Sequence, residues 1–206
     1  MYLGTDPGIR QTNDWLVQRL DVKDLPPTIL TDLPDRAEAV VMVDCGGGKT
    51  EAVKSIRDDA WANGKSVLYL APYQINVYGV TDGEMVTNYH SFGETASDKR
   101  NYSKQDHPQQ SWCWKSVNQI APGHRNFDIV VFDECIEALR DWKKTPEYEQ
   151  SWAVIEEILK NAEKVIWLDA DFTDEFGLAL VSSITTNQDR KRYLIESSAS
   201  YAEGMH

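Results

Sequence analysis

Val43-Asp44-Cys45-Gly46-Gly47-Gly48-Lys49-Thr50 follows directly on the apolar run Ala39-Val40-Val41-Met42. Residues without a Cβ let successive backbone N–H groups converge on one concavity at the positive end of a following helix, an arrangement that surrounds phosphate oxygens. In such a loop Cys45, Gly46, Gly47, Gly48, Lys49 and Thr50 line a nucleoside triphosphate. Lys49 reaches the β- and γ-phosphates, and the Thr50 hydroxyl takes a place on Mg²⁺. The long form of the phosphate-loop pattern puts a further glycine at position 43, where this chain has Val43. The bland alternative is a glycine-rich turn that only joins strand to helix, and the Lys-Thr pair with its flanks disfavours it.

A second constellation is Phe127-Asp128-Ile129-Val130-Val131-Phe132-Asp133-Glu134. An apolar strand that delivers two adjacent carboxylates at its carboxyl end suits a hydrated Mg²⁺ and an attacking water. Asp133 serves the metal and Glu134 orients or activates the nucleophile. Isolated Asp-Glu pairs are common, but this one stands after an apolar run and downstream of a Lys-Thr loop. Val165-Ile166-Trp167-Leu168 likewise ends in acids, Asp169-Ala170-Asp171. The plain reading of Asp169 and Asp171 is that strand-end acids cap the next helix.

These residues need a scaffold that brings strand ends together. The chain has 206 residues and is 41% hydrophobic, enough for one globular domain with a proper core. Ser66–Pro72 reads as a buried strand after a helix over Glu51–Asn63, which makes a β–α–β unit with parallel strands. Met85–His90 reads as a further strand. Glu134–Trp142 and Tyr148–Ala162 read as helices, Val165–Leu168 as a strand, a stretch through about Ser183 capped by Thr173 as a helix, and Arg192–Glu196 as a strand. The expected class is therefore α/β, with a mostly parallel central sheet and helices on both faces. Asn13–Leu20 has helical spacing, and Leu25–Leu30 reads as an extended connection broken by Pro26 and Pro27. Three segments are expected: a lead-in with that helix over 1–38, a nucleotide-binding domain over 39–196, and a tail or linker over 197–206.

Several classes are disfavoured. The apolar runs are too short to span a bilayer and the N-terminus lacks a basic segment followed by an apolar one, so no membrane association is expected and a cytoplasmic setting fits best. Cys45, Cys113 and Cys135 show neither a disulfide framework nor zinc-ligand spacing. The formal charge of −12 does not favour nucleic-acid binding, and the basic clusters Lys99-Arg100, Lys143-Lys144 and Arg190-Lys191-Arg192 are short and read as solvated surface rather than a binding patch. Ser91–Gln110 is polar and aperiodic and reads as a long surface excursion, either a nucleic-acid or partner contact or a simple insertion. Trp112 and Trp114 are better suited to the core than to base stacking. Gln11 lies upstream of the loop but lacks the neighbours of an adenine-reading motif.

The order Gly-x-Gly-Lys-Thr, strand-Ala71-Pro72, strand-Asp133-Glu134, strand-Asp169-Ala170-Asp171 resembles motifs I, Ia, II and III of superfamily-two helicases. Asp169-Ala170-Asp171 stands where most of the superfamily has Ser-Ala-Thr, and this variant is similar to the branch of the herpesvirus origin-binding helicase and related phage and plasmid replication proteins. The resemblance covers roughly 39–171. It implies a RecA-like P-loop NTPase domain that hydrolyses ATP, with Asp169, Ala170 and Asp171 coupling hydrolysis to a bound strand. It further implies a single- or double-stranded nucleic-acid partner, DNA favoured, a second RecA-like domain in a longer chain or another subunit, and a host cytoplasm if the protein is viral. Two other classes stay open: a different P-loop enzyme such as a kinase, and a non-catalytic adaptor with the same fold.

Overall fold

In the computed structural model the described residues are 9–12, 15–20, 24–44, 46–72, 87–88, 107–141, 146–170, 172, 176–185 and 189–197. In chain order they form β1 (Ile9–Thr12), β2 (Trp15–Leu20), β3 (Ala37–Met42), α1 (Lys49–Ala62), β4 (Val67–Ala71), β5 (Thr87–Asn88), β6 (Gln109–Cys113), β7 (Ile129–Asp133), α2 (Cys135–Asp141), α3 (Glu149–Asn161), β8 (Lys164–Asp169), α4 (Phe176–Ile184) and β9 (Lys191–Ser197). Short 3₁₀ segments cover Trp114–Gln119, Pro122–His124 and Pro146–Tyr148.

One nine-stranded sheet runs β1-β2-β9-β3-β8-β7-β4-β6-β5. Every neighbouring pair is parallel except β1 with β2. Strands buried on both faces must be apolar at nearly every position, which is why β4, β7 and β8 read as continuous hydrophobic runs rather than alternating ones.

Register places Ala39, Val41, Ile166, Val131 and Tyr69 on one face, and Glu38, Val40, Trp167, Phe132 and Leu68 on the other. The first face meets α1, whose Arg57 carbonyl accepts a bond from the Gln109 side chain of β6 at 3.0 Å. The second face carries an aromatic stack: Trp167 lies 5.5 Å from Phe132, Phe132 6.1 Å from Trp152 of α3, and Trp152 5.7 Å from Trp114, centroid to centroid. Trp15 of β2 reaches Ser182 of α4 at 3.4 Å on this same side. The helices thus lie on both faces, as the pattern of the sequence predicts.

Four expectations need correction. The helix over 13–20 is absent: Trp15–Leu20 is a strand, paired in parallel with β9 along its whole length. That pairing satisfies the backbone of the segment, so helical spacing over a few residues is overridden by a non-local partner. The 25–30 connection is coiled into turns rather than extended, with Ile29 N bonded to Pro26 O and Asp32 N to Thr28 O, and it buries Leu25, Ile29, Leu30 and Leu33. The polar excursion ends earlier than expected, because Gln109 and Gln110 belong to buried β6. In the Arg190-Lys191-Arg192 cluster only Lys191 is exposed: Arg190 donates to the Leu159 and Ala162 carbonyls, and Arg192 pairs with Glu38 at 3.3 Å. Lys99-Arg100, Lys143-Lys144 and Thr173 lie outside the described residues, as does most of the 85–90 and 91–110 segments. Trp112 and Trp114 are core residues. Among the described residues, no helix is long and apolar enough to cross a membrane.

Candidate nucleotide-binding site

The chain leaves β3 through α1 toward β4 on one side, and leaves β8 through α4 toward β9 on the other, although β3 and β8 are neighbours. Such a reversal opens a crevice at the strands' carboxyl ends, where ligands of parallel sheets gather. The Gly46–Lys49 loop, Asp133 and Asp169 all sit at this end, on β3, β7 and β8. A backbone bond from Val43 N to Asp169 O at 3.4 Å ties the start of the loop to β8.

The loop is seated from below by the 25–33 turns. Leu25 N donates to Gly47 O at 2.9 Å, and Gly47 N to Asp44 O at 3.0 Å. Gly48 has φ +82°, and a Cβ placed there would stand 3.2 Å from both the backbone N and O of Leu25. Gly48 is the N-cap of α1 with no side chain capping the helix, so the first-turn N–H groups of a 14-residue helix face the loop rather than a side-chain acceptor. Lys49 is half-buried and its Nζ donates to the Val43 carbonyl at 3.0 Å, across the mouth of the loop. Thr50 is exposed beside it.

Asp133 closes the other side of the crevice. It is half-buried, and both of its carboxylate oxygens are engaged. The Tyr69 hydroxyl donates to Oδ2 at 2.5 Å, and the Glu134 N–H to Oδ1 at 3.0 Å. Burial pushes the Asp133 carboxyl above its ordinary value, while the Tyr69 bond and the charge of Lys49 pull it back. Burial and the same carboxylate push the Tyr69 hydroxyl well up, so it remains a donor. Glu134 is exposed and holds φ 45°, a left-handed conformation that costs a non-glycine residue about 1 kcal/mol or more.

Asp169 is buried, and its Oδ2 accepts from Ile136 N at 2.8 Å. It therefore caps α2, the helix that follows the Asp133-Glu134 turn. Ala170 is half-buried beside it. Lys49, Thr50, Asp133, Glu134 and Asp169 thus share one end of the sheet, with Gly46, Gly47 and Gly48 forming the loop between them. Cys45 and Asp171 lie outside the described residues. Sequence reasoning missed Tyr69 and Leu25. Tyr69 had one available signal, a phenol inside an otherwise aliphatic strand; Leu25 had none, since its role is played by backbone atoms.

No sequence family profile matches the chain, nor does any curated protein. Solved structures do match. A hypothetical ATP-dependent RNA helicase from Sulfolobus tokodaii superposes with a TM-score of 0.53 at 18% identity, over 82% of this chain and 50% of that one. The UvsW helicase from Bacteriophage T4 gives 0.54 at 14%, over 78% and 54%. Mss116p bound to ssRNA and AMP-PNP gives 0.54 at 16%, over 87% and 39%. The chain thus spans between 39% and 54% of the length of these structures. At such identities the likeness is one of fold: an α/β, mostly parallel sheet similar to the RecA-like domains of superfamily-two helicases.

Proposed function

We propose that the chain is one motor half of an ATP-dependent nucleic-acid helicase or translocase, acting with Mg²⁺. The observation that carries this reading is the convergence of Lys49 and Asp133 across the crevice beside β3 and β8, at an uncapped helix N-terminus. The residues fit a magnesium nucleotide. A backbone carbonyl is a neutral partner for Lys49, and a phosphate oxygen is a stronger one. Gly48 lets the loop sit directly on the Leu25 backbone, where a Cβ would stand 3.2 Å from N and O.

In this reading Lys49 releases Val43 and takes the β- and γ-phosphates, while the loop N–H groups hold the remaining oxygens. Thr50 and Asp133 hold Mg²⁺, which supplies charge neutralisation on the phosphate oxygens. Glu134, exposed at the end of β7, accepts the proton of the attacking water or orients it. Asp169, Ala170 and Asp171 link the Asp133-Glu134 turn to a bound strand, DNA being favoured. A second RecA-like half, in a longer chain or another subunit, supplies arginines to the transferring phosphoryl group. The Asp169-Ala170-Asp171 variant supports a place in viral or plasmid DNA replication.

The test is Mg²⁺-dependent ATP hydrolysis with and without single-stranded DNA, paired with equilibrium binding of a fluorescent ATP analogue. Lys49→Ala is expected to abolish binding. Glu134→Gln should retain binding and lower hydrolysis about 100-fold or more. A native chain that binds no nucleotide would overturn the reading and favour a non-catalytic module of the same fold. One observation favours that second reading: Arg190 and Arg192 are engaged inside the protein while the formal charge is −12.

A further inference from the structure

We propose that Tyr69 is a positioning residue of the nucleotide site, its buried hydroxyl fixing the Asp133 carboxylate in the orientation that holds the hydrated divalent cation. The inference rests on the nucleotide-hydrolysing reading above and adds to it a residue outside the phosphate loop and the strand-end acids.

β4 is buried along its whole length, and Tyr69 is the polar exception in Val-Leu-Tyr-Leu-Ala. Tyr69 pairs with Val131 on β7, so Asp133 lies two residues further along the neighbouring strand on the same face. Two residues of strand advance about 6.7 Å, roughly the reach of a phenol from its Cα to its oxygen. The ring alone would fill the core as well in the form of phenylalanine. What the hydroxyl adds is a single bond to Asp133 Oδ2 at 2.5 Å, in the range of a charge-assisted O–H···O⁻ contact.

Two donors then fix the plane of the carboxylate, Tyr69 at Oδ2 and the Glu134 N–H at Oδ1. Each oxygen keeps a second lone pair, and these are the acceptors left for water held on a cation. Tyr69 does not touch the nucleotide; it acts through Asp133. Outer partners that orient a metal-holding carboxylate commonly change metal affinity or activity 10- to 100-fold when removed.

The experiment is a titration of Mg²⁺ against binding of a fluorescent ATP analogue, with Tyr69→Phe, Asp133→Asn and the double variant beside the native chain, and a thermal melt of each. The expected result is a roughly 10-fold rise in the Mg²⁺ concentration at half-saturation for Tyr69→Phe, with unchanged analogue binding in EDTA, and no further effect of Tyr69→Phe in the Asp133→Asn background. Native Mg²⁺ half-saturation in Tyr69→Phe, or an equal shift in both backgrounds, overturns the inference while leaving the nucleotide reading intact. Absence of analogue binding by the native chain overturns both. Should Tyr69→Phe melt below the assay temperature, 3-fluorotyrosine at position 69 keeps the hydroxyl and the fold. Its fluorine resonance should then move when Mg²⁺ is added to the analogue-bound chain but not in Asp133→Asn, and a resonance indifferent to Mg²⁺ overturns the inference.

Discussion

Gly48 shows how a single residue sets the site. Its φ of +82° belongs to the left-handed region, and the backbone of Leu25 stands 3.2 Å from where a Cβ would be. Two separate penalties therefore meet a side chain there, one conformational and one steric. Gly48→Ala is expected to lower stability by about 1 to 2 kcal/mol, read as a shift in the urea midpoint, and to weaken nucleotide binding because the loop must move off Leu25 to relieve the contact. Lys49 beside it needs no rearrangement of backbone to change partners, since its flexible stem only exchanges one oxygen acceptor for another.

At the scale of elements, α2 depends on β8. A helix of seven residues has little stability of its own, and its Ile136 N–H is satisfied by Asp169 from the end of the adjacent strand. That bond holds the helix immediately after the strained Glu134 turn, so a change at β8 reaches the Asp133-Glu134 pair through two residues of backbone. Asp169→Ala should cost about 1 to 2 kcal/mol of stability and lower ATP hydrolysis while leaving ATP-analogue binding near native. Equal loss of binding and hydrolysis would mean that Asp169 only stabilises the sheet end and does not govern the turn.

At the scale of the whole molecule, the end of the sheet away from the loop carries its own polar centre. Glu38 is fully buried on β3 and accepts from Trp167 Nε1 at 3.1 Å, from Thr185 Oγ1 at 3.1 Å and from Arg192 at 3.3 Å. One carboxylate thereby joins β3, β8, β9 and the end of α4. Burial raises its pKa above the ordinary 4.5, against the opposing pull of Trp167 and Arg192. A carboxyl whose pKa is higher folded than unfolded binds protons more readily in the native state, so this group favours folding increasingly as pH falls from neutrality through its folded pKa toward 4.5. The stability of the native chain relative to Glu38→Gln, compared by urea unfolding, should accordingly rise as pH is lowered over that window and level off below it. A pH-independent difference would show that Glu38 keeps an ordinary pKa in the folded chain.

The residues of the candidate site were legible in the sequence wherever their placement depends on neighbours along the chain. Glycines before Lys49 and Thr50, the apolar run before Asp133 and Glu134, and the acids after Leu168 are local patterns, because a phosphate loop is made of consecutive backbone groups and a strand delivers whatever residue comes next at its end. The α/β class followed from the same local runs. What only the tertiary structure decided rests on partners far away in sequence. Trp15–Leu20 became a strand because β9 pairs with it, and Gln109 and Gln110 entered the core because β4 aligns them there. Asp169 reached α2 because parallel neighbours bring their carboxyl ends side by side. Tyr69 met Asp133 through the register of β4 on β7. Sheet pairing is a contact between distant segments, and no residue's own preference carries the identity of the strand beside it.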